Sequence, residues 1–170
     1  GQVYPVTSIL AADKELDTAV IRTDAQNLPP LPLNDPSVPG DAAYVFSDPL
    51  SVAGYFSAGM VNRYHWDDEG ERAHADTLDA ARHLRLNVST DWGPGSSGAA
   101  VLDACGNAIG HVKLITSLGF NDDGGKAAPS AKSTGASAAE SEGDQGTILV
   151  LHEAVPARGV KLLIEAIHRR

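Results

Sequence analysis

The sequence predicts an all-β fold, one small closed antiparallel barrel of six strands with two further strands ahead of it and a helix behind. Three observations carry that expectation. Short runs rich in β-branched and aromatic residues recur between Gly, Pro, Asn and Asp turns. Helical spacing is clear only at the C-terminal end, where Val160, Leu163, Ile164 and Ile167 fall at i, i+3, i+4 and i+7. Asn27 to Gly40 carries prolines at 29, 30, 32, 36 and 39, a density that excludes helix and central strand and reads as a connector between two substructures.

In chain order, Val3 to Ala11 and Asp17 to Arg22 read as strands around the polar turn at Asp13 to Leu16. After the connector come strands at Ala42 to Ser47 and at Val52 to Tyr64, the second bent at Gly54 and Gly59, and then a polar excursion from His65 to Glu71. A strand from Leu84 to Thr90 leads into a Gly/Ser bend. Ala99 to Asp103 and Asn107 to Thr116 form a hairpin around Ala104, Cys105 and Gly106. Asn121 to Gly146 has almost no apolar anchor and is expected to be a long flexible loop. Thr147 to Val155 is the last strand. Pro156 opens the closing helix, whose C-terminal half carries Lys161, His168, Arg169 and Arg170. The organisation expected is residues 1–26 as two leading strands, 27–41 as connector, 42–155 as barrel and 156–170 as helix.

At 170 residues and 42% hydrophobic content the chain can bury a real core. Its net charge of −9 argues against a nucleic-acid or anionic-membrane surface, and no apolar run approaches the ~20 residues of a spanning helix. A single cysteine, Cys105, excludes an internal disulfide and stands without a nearby base. The histidines share no ligand spacing with it, and Asn121 to Gly125 lacks the spaced acids and closing Glu of a calcium loop. No metal or cofactor is expected.

The chemistry concentrates at Asp91 to Asp103. Small and turn-forming residues surround Ser97, and Gly95, lacking Cβ, lets backbone N–H groups converge where an oxyanion would sit. An α/β-hydrolase reading fails here, because Ala99 stands where the final elbow glycine belongs and a strand, not a helix, follows the serine.

Gly95-Ser96-Ser97-Gly98-Ala99-Ala100-Val101 resembles the nucleophile segment of trypsin-like serine peptidases, and Glu15-Leu16-Asp17-Thr18-Ala19-Val20-Ile21 resembles their aspartate segment, especially in HtrA-type members. The proline-rich connector, the Gly59 strand, the Gly106 to Gly110 hairpin and the start of the last helix stand in the same order as in that family. The resemblance implies a Greek-key barrel of trypsin-like type, with residues 1–26 as the tail of a first barrel. It implies Ser97 as nucleophile, Asp17 as the residue that orients the base, and the Gly95 and Ser97 N–H groups as oxyanion hole. Peptides or proteins are the implied substrate, and a periplasmic or secreted setting fits the family. Asp91, six residues before Ser97, matches the position of an acid that selects Lys or Arg, and His111 is a second candidate for the same pocket. Ala99 and Ala100 depart from the usual Gly-Pro.

The larger departure is the base. The family order is His, Asp, Ser, and the histidines at 65, 74, 83, 111, 152 and 168 all follow Asp17. The expectation is that a segment upstream of Gly1 supplies the histidine and that this stretch alone is inactive. The alternative is a protease-like module that has lost catalysis and binds peptides.

Overall fold

The computed structural model describes residues 3–67, 77–119 and 147–169. Its elements are β1 (Val6–Asp13), β2 (Thr18–Thr23), β3 (Ala42–Ser47), β4 (Tyr55–Trp66), α1 (Leu78–His83), β5 (Leu84–Val88), β6 (Ala100–Leu102), β7 (Ala108–Gly119), β8 (Thr147–Pro156) and α2 (Ala157–His168). Strands β1 and β2 form a two-stranded antiparallel ribbon, and the other six close a barrel in the order β3-β4-β5-β8-β7-β6. Closure is made by β6 on β3, with Val45 opposite Val101.

Alternation along the strands sorts their side chains. Val45, Val61, Leu86, Val88, Val101, Ile109 and Val112 meet in one core with Trp92. Arg85 and Asn87, on the other face of β5, are nonetheless buried, and each is given partners there. Arg85 pairs with Asp67 at 2.5 Å, and Asn87 donates to the His152 carbonyl at 3.0 Å. Gly110 is where β7 meets the end of β8 most closely, since a Cβ there would lie 2.4 Å from the Val155 carbonyl oxygen.

The ribbon docks through a second, smaller cluster. Leu16, at the β1–β2 turn, packs on Val155 of β8 and Leu163 of α2, with Ala11, Val20 and Leu78 around them. Asp13 at the end of β1 is held by Arg82 of α1 at 2.9 Å. The connector is strapped to the barrel at its far end: the Ala108 N–H donates to the Pro32 carbonyl (2.8 Å) and the Asn34 N–H to the Ala108 carbonyl (2.9 Å). Arg158 of α2 reaches back to Asp35 at 2.9 Å.

The expected all-β barrel, the two leading strands and the closing helix are all present. Three local expectations change. The strand expected from Val52 begins at Tyr55, because a 3-10 turn at Pro49–Ser51 with positive φ at Leu50, Ser51 and Gly54 occupies the preceding residues. It also runs on through His65 and Trp66, which pair with Arg85 and Leu84 and so belong to a strand instead of a polar excursion. Helix α1 was not expected; Thr77 caps it by accepting from the Ala80 N–H at 3.2 Å. The loop expected over 121–146 lies outside the described residues.

Candidate active site

The loop from Thr90 to Ala99 is built around what each residue bonds to. Asp91 donates its N–H to Ser57 Oγ at 2.7 Å. Trp92 is buried, its indole edge-on to the His152 ring with centroids 4.9 Å apart. The Pro94 carbonyl accepts from Leu50 N–H at 2.7 Å. Gly95 and Gly98 then turn the chain at φ 99° and 83°, values an L side chain rarely adopts. A Cβ on Gly95 would also stand 3.0 Å from the Asp48 carbonyl oxygen.

The two serines between those glycines face opposite ways. Ser96 is 1% exposed and donates its hydroxyl to Ser47 Oγ at 2.9 Å, anchoring the loop to β3. Ser97 is exposed. The backbone N–H groups divide in the same manner. Those of Ser96, Gly98 and Ala99 donate to Gly93, Val112 and Ser96 carbonyls at 2.9 to 3.0 Å. Among the described residues, the N–H groups of Gly95 and Ser97 have no partner. Two free donors therefore flank an exposed hydroxyl.

Asp17 sits on the β1–β2 turn at φ 59°, a conformation that aspartate tolerates better than most residues. The turn is closed by Asp17 N–H to the Lys14 carbonyl (3.2 Å) and by Leu16 N–H to Asp13 Oδ1 (2.9 Å). Burial would raise the Asp13 carboxyl, but the Arg82 guanidinium and the Leu16 N–H outweigh it and hold it below its ordinary value. The Asp17 side chain is exposed.

A small cavity of about 30 Å³ is lined by Ser97, by Trp92, Gly93 and Pro94, and by β7 from Val112 to Ile115. Asp91 and His111, the two residues expected at a specificity pocket, are outside that lining. Asp91 is exposed, and its carboxylate acts on His152, opposing the burial that lowers that histidine. His111 faces the ribbon instead, with Nε2 2.9 Å from Thr18 Oγ1. Burial holds it below its ordinary value, against the charge of Asp17.

None of the described histidines is hydrogen-bonded to Ser97. His65 pairs with Glu153 at 2.8 Å and His168 lies 3.0 Å from the Ile164 carbonyl, while His74 lies outside the described residues. Cys105 is exposed, and its N–H donates to Asp103 Oδ1 in a turn where bonds from Asn107 and Asn34 outweigh burial and hold the Asp103 carboxyl at about 2. No cluster of three metal-ligating side chains occurs among the described residues. The sequence reading missed Ser96 as the loop's anchor and the contact between His111 and Thr18; the first had a signal in the paired serines, the second had none.

Comparison with known proteins starts from the architecture. The chain superposes on the HtrA-type protease AlgW with a decapeptide at TM-score 0.58 and 23% identity, over 95% of this chain and 39% of that one. It superposes on the serine endoprotease from Yersinia pestis at TM-score 0.60 and 18% identity, over 99% of this chain and 46% of that one. It thus spans less than half the length of these structures. No curated protein matches the sequence. Residues 1–110 match the trypsin-like peptidase domain family, and with its closed antiparallel barrel and C-terminal helix the chain belongs to that family.

Proposed function

We propose that this chain is the larger part of a serine endopeptidase domain, with Ser97 as nucleophile, Asp17 as the residue orienting the base, and a histidine supplied by a segment upstream of Gly1. The observation that carries it is the pair of N–H groups on Gly95 and Ser97, without partners among the described residues, beside an exposed hydroxyl, in a bend where the N–H groups of Ser96, Gly98 and Ala99 are bonded. A hydroxyl attacks a peptide carbonyl only when a base takes its proton. In this reading Ser97 Oγ bonds to the carbonyl carbon and its proton passes to the upstream imidazole. The carbonyl oxygen becomes an oxyanion received by the two N–H donors. The imidazolium, stabilised by Asp17, then protonates the leaving amine as the C–N bond breaks, and water repeats the sequence on the acyl-enzyme.

The ribbon fits the tail of a first barrel spanning residues 1–26, joined through the connector at 27–41 to a second barrel at 42–155 and the helix at 156–170. Val6, Ile9 and Ile21 are exposed on it, an apolar surface that further strands of that barrel would cover. The competing reading, a peptide-binding module without catalysis, is favoured by the lack of any described histidine at Ser97.

The test is hydrolysis of a denatured protein substrate by the protein with its upstream segment. Turnover is expected, with loss of at least about a thousandfold in Ser97→Ala and retained peptide binding. Ser97-dependent turnover by residues 1–170 alone would overturn the upstream base. Its absence from the longer protein would leave the binding module.

A further inference from the structure

We propose that His111 and Lys113 of β7 are positioning residues that grip the Asp17 turn from both sides and so set the placement of its carboxylate. The inference rests on the peptidase reading above and goes beyond it, since it names two side chains of the barrel that govern a residue on the ribbon.

The geometry is local. His111 Nε2 lies 2.9 Å from Thr18 Oγ1, immediately after Asp17. Lys113 Nζ donates to the Glu15 carbonyl at 3.5 Å, two residues before it. The two grips come from one strand: His111 is paired with Val155 of β8, and Lys113 sits in the register shift between Val112 and Leu114 of the β7–β8 ladder. Thr18 is further fixed by donating to the Leu16 carbonyl at 3.3 Å, so the contact is transmitted to the residue that buries the turn. Asp17 itself has positive φ and an exposed side chain. Such a residue keeps a single orientation only if its neighbours are held.

The charges around the grip give it a second consequence. Asp17 and Lys113 face His111; Arg85 of β5, Asp67 after β4, Asp17 and Glu153 of β8 face Lys113. On the ribbon side Arg82 is engaged with Asp13, Asp79 and Glu15. Lys113, held on the Glu15 carbonyl, is therefore a cation close enough for its charge and that of the Asp17 carboxylate to act on each other. It weakens the negative field that Asp17 exerts on the base, which holds the base's pKa lower than an unopposed carboxylate would. Removing the Lys113 charge raises that pKa and moves the acidic limb of the rate profile to higher pH.

The experiment uses the protein with its upstream segment, measuring kcat and KM against pH for Ser97-dependent hydrolysis together with amide exchange at Leu16 and Asp17. His111→Leu is expected to lower kcat by roughly tenfold with KM little changed. His111→Gln, which keeps a partner for Thr18, is expected to recover most of that loss. Thr18→Val breaks the same bond while sparing the barrel, and should match His111→Leu, with the double variant no worse than either. Lys113→Met should shift the acidic limb upward by a few tenths of a pH unit. Faster exchange at Leu16 and Asp17 with unchanged kcat and unchanged pH profile would mean a structural strut and overturn the positioning role. Unchanged exchange in all variants would overturn the grip itself. An unmodified protein without turnover overturns the peptidase reading and the catalytic consequence together, while the exchange data still report whether the grip exists.

Discussion

In the barrel, Val45, Val61, Leu86, Val88, Val101 and Ile109 are each at most 1% exposed, whereas on the β1–β2 ribbon Val6, Ile9 and Ile21 are 56%, 69% and 49% exposed. The barrel closes on itself, so that each of its six strands has a neighbour on both sides; the ribbon has two edges and borrows its core from α2 and β8 through Leu16. The proposed nucleophile stands on the first and the proposed aspartate on the second. Two partners in one reaction thus rest on supports of unequal rigidity, and the weaker support is the one that needs the most contacts to the other.

Leu16→Ala is the largest way to break that contrast. Leu16 is fully buried and is the ribbon's main apolar anchor, so its truncation is expected to cost about 3 kcal/mol. Amide exchange in β1 and β2 should rise while β5 stays protected. Equal acceleration in β5 would show that ribbon and barrel open as one unit.

Ser96→Ala sharpens it within the barrel. Removing this hydroxyl strips Ser47 Oγ of its donor and Gly93 N–H of its acceptor at 3.4 Å, with an expected loss of about 1 to 2 kcal/mol by thermal denaturation. Turnover should fall only as far as the loop loosens. Ser97→Ala should do the reverse, leaving the midpoint unchanged while abolishing turnover. A Ser96→Ala variant as inactive as Ser97→Ala would mean the two serines do not divide the work as their exposure says.

The smallest effect is a pH dependence that reaches both regions. Burial lowers His111 and His152 below the ordinary 6.5, so below that value the unfolded chain binds more protons than the folded one. Stability is therefore full above about 6.5 and declines as pH falls toward the folded values. Glu153 and Asp13 act further down. Burial would raise each, but hydrogen bonds and neighbouring cations hold both below their ordinary values, so their contribution is present above those values and is lost as pH falls through the folded ones. Denaturation midpoints measured across pH should flatten below about 6.5 in His152→Gln, where an imidazole displaced downward loses its contribution. A midpoint that falls just as steeply in that variant would remove His152 from the account.

Most of the barrel was legible because its signals are local. Alternation at Leu84 to Val88, the turn at Ala104 to Gly106 and the stripe at Val160 to Ile167 each fit within a few residues. Helix α1 was not legible: six residues carry too little of a period, and its cap at Thr77 follows a polar stretch that looks like loop. The candidate nucleophile loop could be found, but the choice between Ser96 and Ser97 came from resemblance, since adjacent serines have the same local pattern and differ only in what lies behind them. Asp91 was placed by its spacing from Ser97 and His111 by its strand after the serine, and neither says which way a side chain faces. The bond from His111 to Thr18 spans 93 residues and leaves no trace in either neighbourhood.

The strap that Pro32 and Asn34 make on Ala108 changes what kind of event release of the ribbon can be. Between the end of β2 at Thr23 and that strap the chain is short, so a ribbon that lets go stays within reach of its seat and returns by an intramolecular step. Its effective concentration is set by the tether and is independent of how dilute the protein is. Cutting the chain between Asp24 and Leu31 would convert that return into an encounter between separate molecules, and aspartate and serine would then meet only as often as dilution allows.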